Sequence, residues 1–261
     1  MNILVGADPE LFVKDGEQFI SGIGLVGGTK DNPQAMGCGA VQMDNVLLEY
    51  NIPPARSADE FVTYNSQMMA VLEQYIYPRK LVAVGSHEYS LDYLESLGPV
   101  AMTLGCEPDL NVWTRRFNPR PNARQGLRSG AGHIHVSFEN RDRDVLARLV
   151  QIMDAHLGLP SVLMDSDTTR RNLYGKAGSF RFTDYGGVEY RVLSNFWLRS
   201  QAEMRWAYNS TIKSVNLLSN EEYYLQVMCH GTDIQAAINN SDGALAHSLM
   251  QELNVGAVSN G

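Results

Sequence analysis

Alternating polar and apolar side chains are the first pattern along the chain. In residues 133–138, HIHVSF, the polar residues His133, His135 and Ser137 alternate with apolar ones. Successive side chains of a β-strand point to opposite faces, so the pattern predicts a strand with two imidazoles on one face. Alternation and β-branched runs predict further strands over residues 2–6, 17–21, 41–52, 81–86, 109–113 and 186–194.

Apolar residues spaced three to four positions apart predict helices between these strands. The segment SADEFVTYNSQMMAVLEQYI begins at Ser57 or Asp59 with a capping residue and early acids, and it ends near Tyr77, before a proline. Further helices are predicted over residues 142–159, over about 198–218, and as one or two helices in the last 40 residues. Because no regular βαβ alternation is present, we predict an α+β fold with a mixed or antiparallel sheet.

Three of the predicted strands carry two polar side chains at positions i and i+2, and a fourth such pair lies at or just past the end of the first predicted strand. The pairs are Asp8 and Glu10, Glu49 and Asn51, His133 and His135, and Glu189 and Arg191. One such pair is what the solvated face of an antiparallel sheet normally has. Carboxylates gathered on one face repel each other unless cations lie among them, and Mg²⁺ or Mn²⁺ accepts carboxylate oxygens, while Mn²⁺ also accepts imidazole. The four pairs therefore predict a metal cluster of the kind that suits ATP chemistry.

Cationic side chains precede two of these strands. They are Arg115, Arg116, Arg120, Arg124 and Arg128 before the histidine strand, and Arg170, Arg171, Lys176 and Arg181 before the Glu-Tyr-Arg strand. In a chain with a formal net charge of −8, nine flanking cations suggest a pocket for phosphates and a substrate carboxylate. Solvated loops with surface arginines are the alternative interpretation of both groups.

Composition and charge narrow the function classes. The net charge of −8 argues against a broad nucleic-acid surface, which needs a basic face. Three scattered cysteines are too few for a disulfide framework or a zinc ribbon, and we expect reduced thiols in a cytoplasmic protein. We also expect no signal peptide in MNILVGADPE and no membrane span. The chain lacks a Walker A sequence, and GIGLVGG lies in no βαβ unit.

Five blocks of sequence resemble a known family. They are GADPELFV, DNVLLEYNIPPA, GAGHIHVSF, DTTRRNLYGKAGSFR and YGGVEYRVLSNFW, spread over residues 6–197. In this order they resemble the phage-type carboxylate–amine ligases, or amidoligases, which are related to glutamine synthetase and glutamate–cysteine ligase. The EYN strand followed by two prolines and the YG…VEYR run are the most specific of the motifs.

The resemblance implies a fold, a reaction and a set of cofactors. The implied fold is a curved, mainly antiparallel sheet of the glutamine synthetase catalytic-domain type, with helices on its convex face and with ATP and Mg²⁺ or Mn²⁺ on its concave face. In the implied reaction a carboxylate attacks the γ-phosphate of ATP, and an amine then displaces phosphate from the acyl phosphate. We expect residues 1–220 to form the catalytic domain and residues 221–261 to form a helical extension that packs on it. We expect a cytoplasmic location, which is the host cytoplasm if a phage encodes the chain.

Motif by motif, the resemblance also implies residue roles. The implied metal ligands are Asp8, Glu10, Glu49, His133 and Glu189. The implied catalytic cations are Arg191, which meets the transferred phosphoryl group, Arg181 and Lys176, and the implied nucleotide-binding residues are His133, His135, Arg171, Arg128 and Asn51. Which of the two histidines is the ligand stays open. Larger relatives begin with Glu-x-Glu, so the shorter Asp8 reaches less far than Glu10.

Two other functions remain open at this stage. A His-x-His pair with nearby acids is also what zinc hydrolases use, and a non-catalytic nucleotide-binding phage protein would carry the same motifs. Glu107 and Asp109 belong either to the framework or to a substrate pocket. The sequence identifies neither the carboxylate nor the amine, and it leaves the oligomeric state open.

Overall fold

A computed structural model describes residues 2–103, 108–119 and 125–256. The strands within these ranges are β1 (Leu4–Ala7), β2 (Glu10–Asp15), β3 (Gln18–Ile20), β4 (Gln34–Met36), β5 (Gly39–Asp44), β6 (Leu47–Asn51), β7 (Lys80–Val82), β8 (Ser86–Glu88), β9 (Leu110–Asn111), β10 (Arg116–Phe117), β11 (Leu127–Ser129), β12 (Ile134–Ser137), β13 (Ser179–Phe182) and β14 (Val188–Tyr190). The α-helices are α1 (Ala58–Tyr75), α2 (Leu91–Ser96), α3 (Pro99–Met102), α4 (Arg143–Met153), α5 (Leu159–Met164), α6 (Gln201–Asn216), α7 (Glu221–Cys229), α8 (Gly231–Asn240) and α9 (Gly243–Glu252).

The strands form two six-stranded sheets and one small pair. The first sheet has the order β1-β12-β14-β13-β9-β10, and the second has the order β3-β2-β6-β5-β4, with β7 also paired to β2. Strands β8 and β11 pair with each other. The assigned strand pairs are antiparallel, so the predicted α+β class with mainly antiparallel pairing is confirmed. The strands are divided between two open sheets, where the sequence suggested one.

The two large sheets meet where β1 continues into β2. Pro9 stands between β1 and β2 along the chain, and because it has no N–H group it cannot donate to a strand ladder at that point. The N–H of Glu10 instead donates to the carbonyl of Ala131, at 2.8 Å. The chain after β6 runs beside β1, and Ala55 exchanges backbone hydrogen bonds with Val5 at 2.8 and 3.0 Å. The junction therefore holds the first acidic pair between the two sheets.

The helices bury the opposite face of these strands. The larger of two apolar clusters among the described residues runs from Val5 to Val255, and it includes Tyr50, Tyr190 and Trp197. Helices α7, α8 and α9 contribute side chains to this same core, while the predicted domain boundary at residue 220 stays a prediction. In the described ranges no helix has both the length and the hydropathy needed to cross a bilayer.

Several predicted elements differ from the observed ones. The strand predicted over 41–52 is a hairpin of β5 and β6, because Asn45 adopts φ +55° and turns the chain. The helix predicted over 142–159 consists of α4, a π-helical turn over Asp154–Gly158, and α5. The C-terminal region forms three helices instead of one or two. Strand β13 was not predicted, since its SFRF sequence lies at the end of a cation-rich loop.

The glycine before His133 gives a test of how the backbone positions the site. A Cβ on Gly132 would clash with the Ser194 carbonyl oxygen and the Trp197 indole nitrogen. We expect Gly132→Ala to lower the free energy of unfolding by about 1–3 kcal/mol, as overpacking of a core does. Urea denaturation measures this change. Gly256→Ala is the control, because no described atom lies within 4 Å of its added Cβ; equal stability of both variants would contradict the prediction.

Candidate functional site

Two histidines and two acids form a compact group, called here the first cluster: Asp8, His133, His135 and Glu189. Strands β12 and β14 are neighbours, and His135 lies directly opposite Glu189 in their register. His135 Nε2 lies 3.0 Å from Asp8 Oδ1, and His133 Nδ1 lies 3.4 Å from the same oxygen. His133 Nδ1 is also 3.2 Å from Glu189 Oε1. Both imidazoles of the HIH strand therefore converge on one pair of carboxylates.

The donor set of the first cluster fits a divalent cation. Ligand atoms of Asp8, His135 and Glu189 all lie within 4.8 Å of one another. Asp8 Oδ1 and His135 Nε2 are both buried, and neither makes a hydrogen bond of normal geometry. Two carboxylates and an imidazole are a ligand combination that Mn²⁺ and other borderline divalent ions accept. These residues are able to hold a metal ion.

Electrostatics differ between the two histidines. Burial lowers the pKa of His133, and the charge of Arg191 lowers it further. Burial also disfavours the charged form of His135, but the negative charge of Asp8, 3.0 Å away, outweighs burial and raises that pKa. Burial alone would raise the pKa of Asp8, yet the attraction of His135 and His133 lowers it overall. His133 is therefore biased towards the neutral form that a metal ligand needs.

Arg191 links the first cluster to Asp109. Its guanidinium bonds to Glu189 Oε1, lies 3.2 Å from His133 Nδ1, and donates through Nε to Asp109 Oδ1 at 2.7 Å. Burial lowers the pKa of Arg191, but the charges of Glu189 and Asp109 outweigh burial and raise it. Arg181, opposite Glu189 on β13, lies 3.5 Å from Asp109 at the exposed edge. Asp109 thus belongs to the polar site, one of the two alternatives that the sequence left open.

Three further acids form the second cluster: Glu10, Asp44 and Glu49. Glu10 lies opposite Glu49 in the β2–β6 register. Burial and the charge of Asp44 raise the pKa of Glu10 to about 8, although the Ala131 N–H, at 2.9 Å from Glu10 Oε2, lowers it. Burial and the charges of Asp8 and Glu10 raise the pKa of Glu49 well above its usual range. Such mutual repulsion would be relieved by a second bound cation.

Few cations compensate the second cluster. Lys30 Nζ lies 2.8 Å from Asp44 Oδ1, and Gln42 Nε2 donates to Glu49 Oε2 at 2.8 Å. Burial lowers the pKa of Lys30, but the Asp44 charge outweighs burial and raises it. One lysine faces three carboxyl groups, so full ionisation of this cluster would leave it with a net negative charge, in line with the raised pKa values of Glu10 and Glu49.

Two cavities open on the site. A small one, of about 60 Å³, is lined by Glu10, His133, Arg191, Asp109 and Asp44, among others. A larger one, of about 580 Å³, is lined by residues that include Asp8, His135, Glu49, Asn51, Arg141 and Tyr185. Glu10 and His133 line the small cavity, and Asp8 and His135 line the larger one. The two clusters therefore form a boundary between a confined space and a wider one.

Three predicted cations are positioned differently from their expected roles. Arg171 is only 3% exposed and donates to Ser161 Oγ at 2.9 Å, inside the core. Lys176 is half-buried and is not among the described residues lining either cavity. Arg128 lines the small cavity, but its guanidinium is engaged by Asn45 Oδ1 and by backbone carbonyls. Arg120 and Arg124 lie outside the described residues.

The Gly-Lys-Ala-Gly loop approaches protein side chains. Gly175 has φ +68°, and a Cβ there would clash with the guanidinium of Arg170. Gly178 has φ +74°, and its Cβ would lie 2.6 Å from Trp113 Cδ1. The loop therefore admits Arg170 to the small cavity, where Arg170 Nη1 also donates to the Val192 carbonyl at 3.0 Å.

Sequence reasoning missed Asp44, Tyr185 and Arg141 as site residues, and it included Arg170 only among the nine flanking cations. Tyr185 Oη lies 2.7 Å from His135 Nδ1, and the ring stacks near the imidazole. Arg141 follows the predicted histidine strand and Tyr185 precedes the strand predicted over residues 186–194, and no i, i+2 pattern marks either of them. Asp44 stands at the start of the DNVLLEYN block, five residues before Glu49, and a hairpin prediction there would have brought it to the site.

Comparison with known proteins gives a family match and distant structural likenesses, including the following two. The family model for the phage phiEco32-like COOH.NH2 ligase-type 2 matches residues 125–252, which contain His133, His135, Glu189 and Arg191. The structure of a novel glutamine synthase homolog aligns with 97% of this chain and 67% of its own, at 9% identity and a TM-score of 0.42. A GmaS/ADP complex in conformation 1 aligns over 97% and 69%, at 11% identity and a TM-score of 0.38.

No curated protein sequence matches the chain. The family model and the predicted motifs agree on residues 130–197, where the histidine strand, the Gly-Lys-Ala-Gly loop and the Glu-Tyr-Arg strand lie. Over residues 125–252, slightly less than half of the chain, the sequence is similar to this ligase family, in agreement with the resemblance drawn from the motifs.

Proposed function

We propose that the protein is an ATP-dependent ligase that joins a carboxylate to an amine through an acyl phosphate. The observation that carries this proposal is the position of Arg191, whose guanidinium lies among Glu189, His133 and Asp109 beside the small cavity. The match of residues 125–252 to a carboxylate–amine ligase family supports the reaction class.

In this proposal the nucleotide occupies the larger cavity. Its volume of about 580 Å³ suits a ligand of that size. Arg141 and Tyr185 at its wall offer a cation for phosphate and an aromatic face for a base. The phosphate chain would then point towards Asp8, His135 and Glu49, which also line this cavity or lie at its boundary.

The carboxylate and the amine meet at the small cavity. A carboxylate oxygen attacks the γ-phosphorus, the bond from that phosphorus to its bridging oxygen breaks, and ADP leaves with the electron pair. Arg191 stabilises the charge on the transferred phosphoryl group. The amine nitrogen then attacks the acyl carbon, phosphate leaves with the electrons of the carbon–oxygen bond, and a proton is released. A confined cavity protects the acyl phosphate from water.

Both clusters would hold divalent ions in the proposed enzyme. The ligands of the first cluster would be Asp8, Glu189 and one of the two histidines, His133 or His135. The ligands of the second cluster would be Glu10, Asp44 and Glu49. Bound Mg²⁺ or Mn²⁺ would neutralise phosphate oxygens. The substrates we expect are small-molecule or peptide carboxylates and amines, since the chain's acidic character and its enclosed site offer no broad nucleic-acid surface.

The proposed reaction predicts ADP release that requires a carboxylate, an amine and Mg²⁺ or Mn²⁺ together. A phosphate-release screen that crosses amino acids and amines with Mg·ATP, followed by mass spectrometry of the product, measures it. Arg191→Gln should lower kcat by roughly 10²–10³, because it removes a preorganised charge from the transition state. The matched control is Arg205→Gln, which removes a surface arginine paired to Asp59.

Three outcomes would count against the ligase. Full activity of Arg191→Gln would refute the assigned role of Arg191. Stabilisation by Mg·ATP without ADP release over a broad panel would favour a non-catalytic nucleotide-binding protein. Tight stoichiometric zinc in elemental analysis, with no response to ATP, would favour a metal-dependent hydrolase.

The two clusters predict two classes of Mn²⁺ sites. We expect Glu189→Gln to weaken binding at the first cluster and Glu49→Gln to weaken it at the second, each by roughly tenfold or more, because a ligand is lost. Titration followed by the electron paramagnetic resonance of free Mn²⁺ measures both. Glu221→Gln, which removes an exposed partner of Arg148, is the control. Equal Mn²⁺ binding by all three variants and the unmodified protein would contradict the assignment.

A further inference from the structure

An aspartate on the opposite face of the first sheet contacts both elements that hold Arg191. Asp154 is completely buried at the C-terminal end of α4, where the π-helical turn begins. Its Oδ2 accepts a hydrogen bond from Trp113 Nε1 at 2.6 Å, and its Oδ1 accepts one from the Tyr190 hydroxyl at 2.8 Å. None of these three side chains takes part in the proposed chemistry.

Each donor belongs to an element that fixes one side of the Arg191 guanidinium. Tyr190 is the neighbour of both Glu189 and Arg191, and it points to the core because alternate side chains of a strand face opposite ways. Trp113 lies two residues after the end of β9, and Asp109 lies directly before its start. Asp109 Oδ1 accepts a hydrogen bond from Arg191 Nε at 2.7 Å. Asp154 thus joins β14 to the β9–β10 turn behind the site.

The surroundings are shaped around this contact. Gly158 lies one turn after Asp154, and a Cβ there would be 3.0 Å from the Tyr190 hydroxyl and 2.6 Å from Ile238 Cδ1. Gly178, with φ +74°, similarly leaves room for the Trp113 ring. The π-helical turn lets Asp154 point to these two donors while the helix continues into α5; such turns occur often near functional sites.

A buried carboxylate is a poor choice for stability alone. Desolvation of the charge is costly, and apolar residues of similar volume often replace buried charged groups without loss of stability. What the carboxylate provides is two short, directional bonds to two separate elements. We infer that Asp154 is a positioning residue that holds Arg191 in place from behind the sheet, an inference that rests on the proposed function for its effect on activity.

The test combines a structural readout with a kinetic one. We expect Asp154→Leu, which removes both bonds, to speed solvent exchange of the Arg191 Nε–H group at least tenfold in ¹⁵N spectra, with the resonance identified by its loss in Arg191→Lys. It should lower kcat at least tenfold and leave the KM for ATP within twofold. Burial raises the pKa of Asp154 to about 7, so measurements at pH 8 keep the carboxylate mainly ionised.

Asp154→Asn should keep the exchange rate of the Arg191 Nε–H group and the kcat close to those of the unmodified protein. Its amide oxygen can accept from Trp113 Nε1, and its NH₂ group can donate to the Tyr190 hydroxyl, which also accepts hydrogen bonds. The control Tyr224→Phe removes a tyrosine hydroxyl that donates to Gln151 on the same helix, at 2.9 Å, and it should leave exchange and kinetics unchanged. A purely structural role would predict equal effects of the Leu and Asn variants on exchange, or none.

The possible failures are distinguishable. If Asp154→Leu folds and the Arg191 Nε–H exchanges at the unmodified rate, the inference is wrong whatever the activity. If Asp154→Leu does not fold, Tyr190→Phe and Trp113→Phe each remove one donor at little change in volume, and normal exchange in both overturns the inference. If the unmodified protein releases no ADP in any mixture, the proposed function fails, while the exchange rates still decide whether Asp154 positions Arg191.

Discussion

Repulsion among closely spaced, mostly half-buried carboxylates is the constraint on which the rest of the structure depends. Asp8, Glu10, Asp44, Glu49 and Glu189 lie in two adjoining clusters, and two of their pKa values are raised chiefly by burial and by neighbouring acids. Among the described residues, Arg191 forms an ion pair with Glu189 on one side of the group, and Lys30 forms one with Asp44 on the other. Such a group does not gather by itself, so its position has to come from backbone pairing and from the apolar core behind it.

The same alternation that brings the acids to one face supplies the packing that holds them. On β6, Tyr50 lies between Glu49 and Asn51 and donates to Asn65 of α1 at 3.0 Å. On β14, Tyr190 lies between Glu189 and Arg191 and donates to Asp154. Both site strands are therefore fixed by a buried tyrosine whose hydroxyl bonds to a helix. The polar partner differs, being a neutral amide in one case and a carboxylate that also binds Trp113 in the other.

Local periodicity made the polar pairs predictable, while the contacts between distant strands were not. The His-Ile-His and Glu-Tyr-Arg alternations identify which side chains share a face, but no sequence pattern says that β12 lies beside β14. Asp44 was missed because a turn at Asn45, with positive φ, folds the predicted long strand back on itself. The resemblance implied Arg171 as a nucleotide-binding residue, and the cation-rich run suggested a phosphate pocket, yet a 3₁₀ turn directs Arg171 to Ser161 in the core. Composition predicts that cations are near a site, and only the backbone path decides which of them reach it.

Spacing along a strand accounts for the two-sided character of the site. Residues two positions apart share a face but are separated by about 7 Å, more than the width of a bound ion and less than that of a nucleotide. Of the two histidines, His133 lines the small cavity and His135 the larger one. The first acidic pair divides in the same way, with Glu10 on the small cavity and Asp8 on the larger. A group that passes between two bound substrates has to cross such a boundary, and each of these i, i+2 pairs supplies one polar side chain on either side of it.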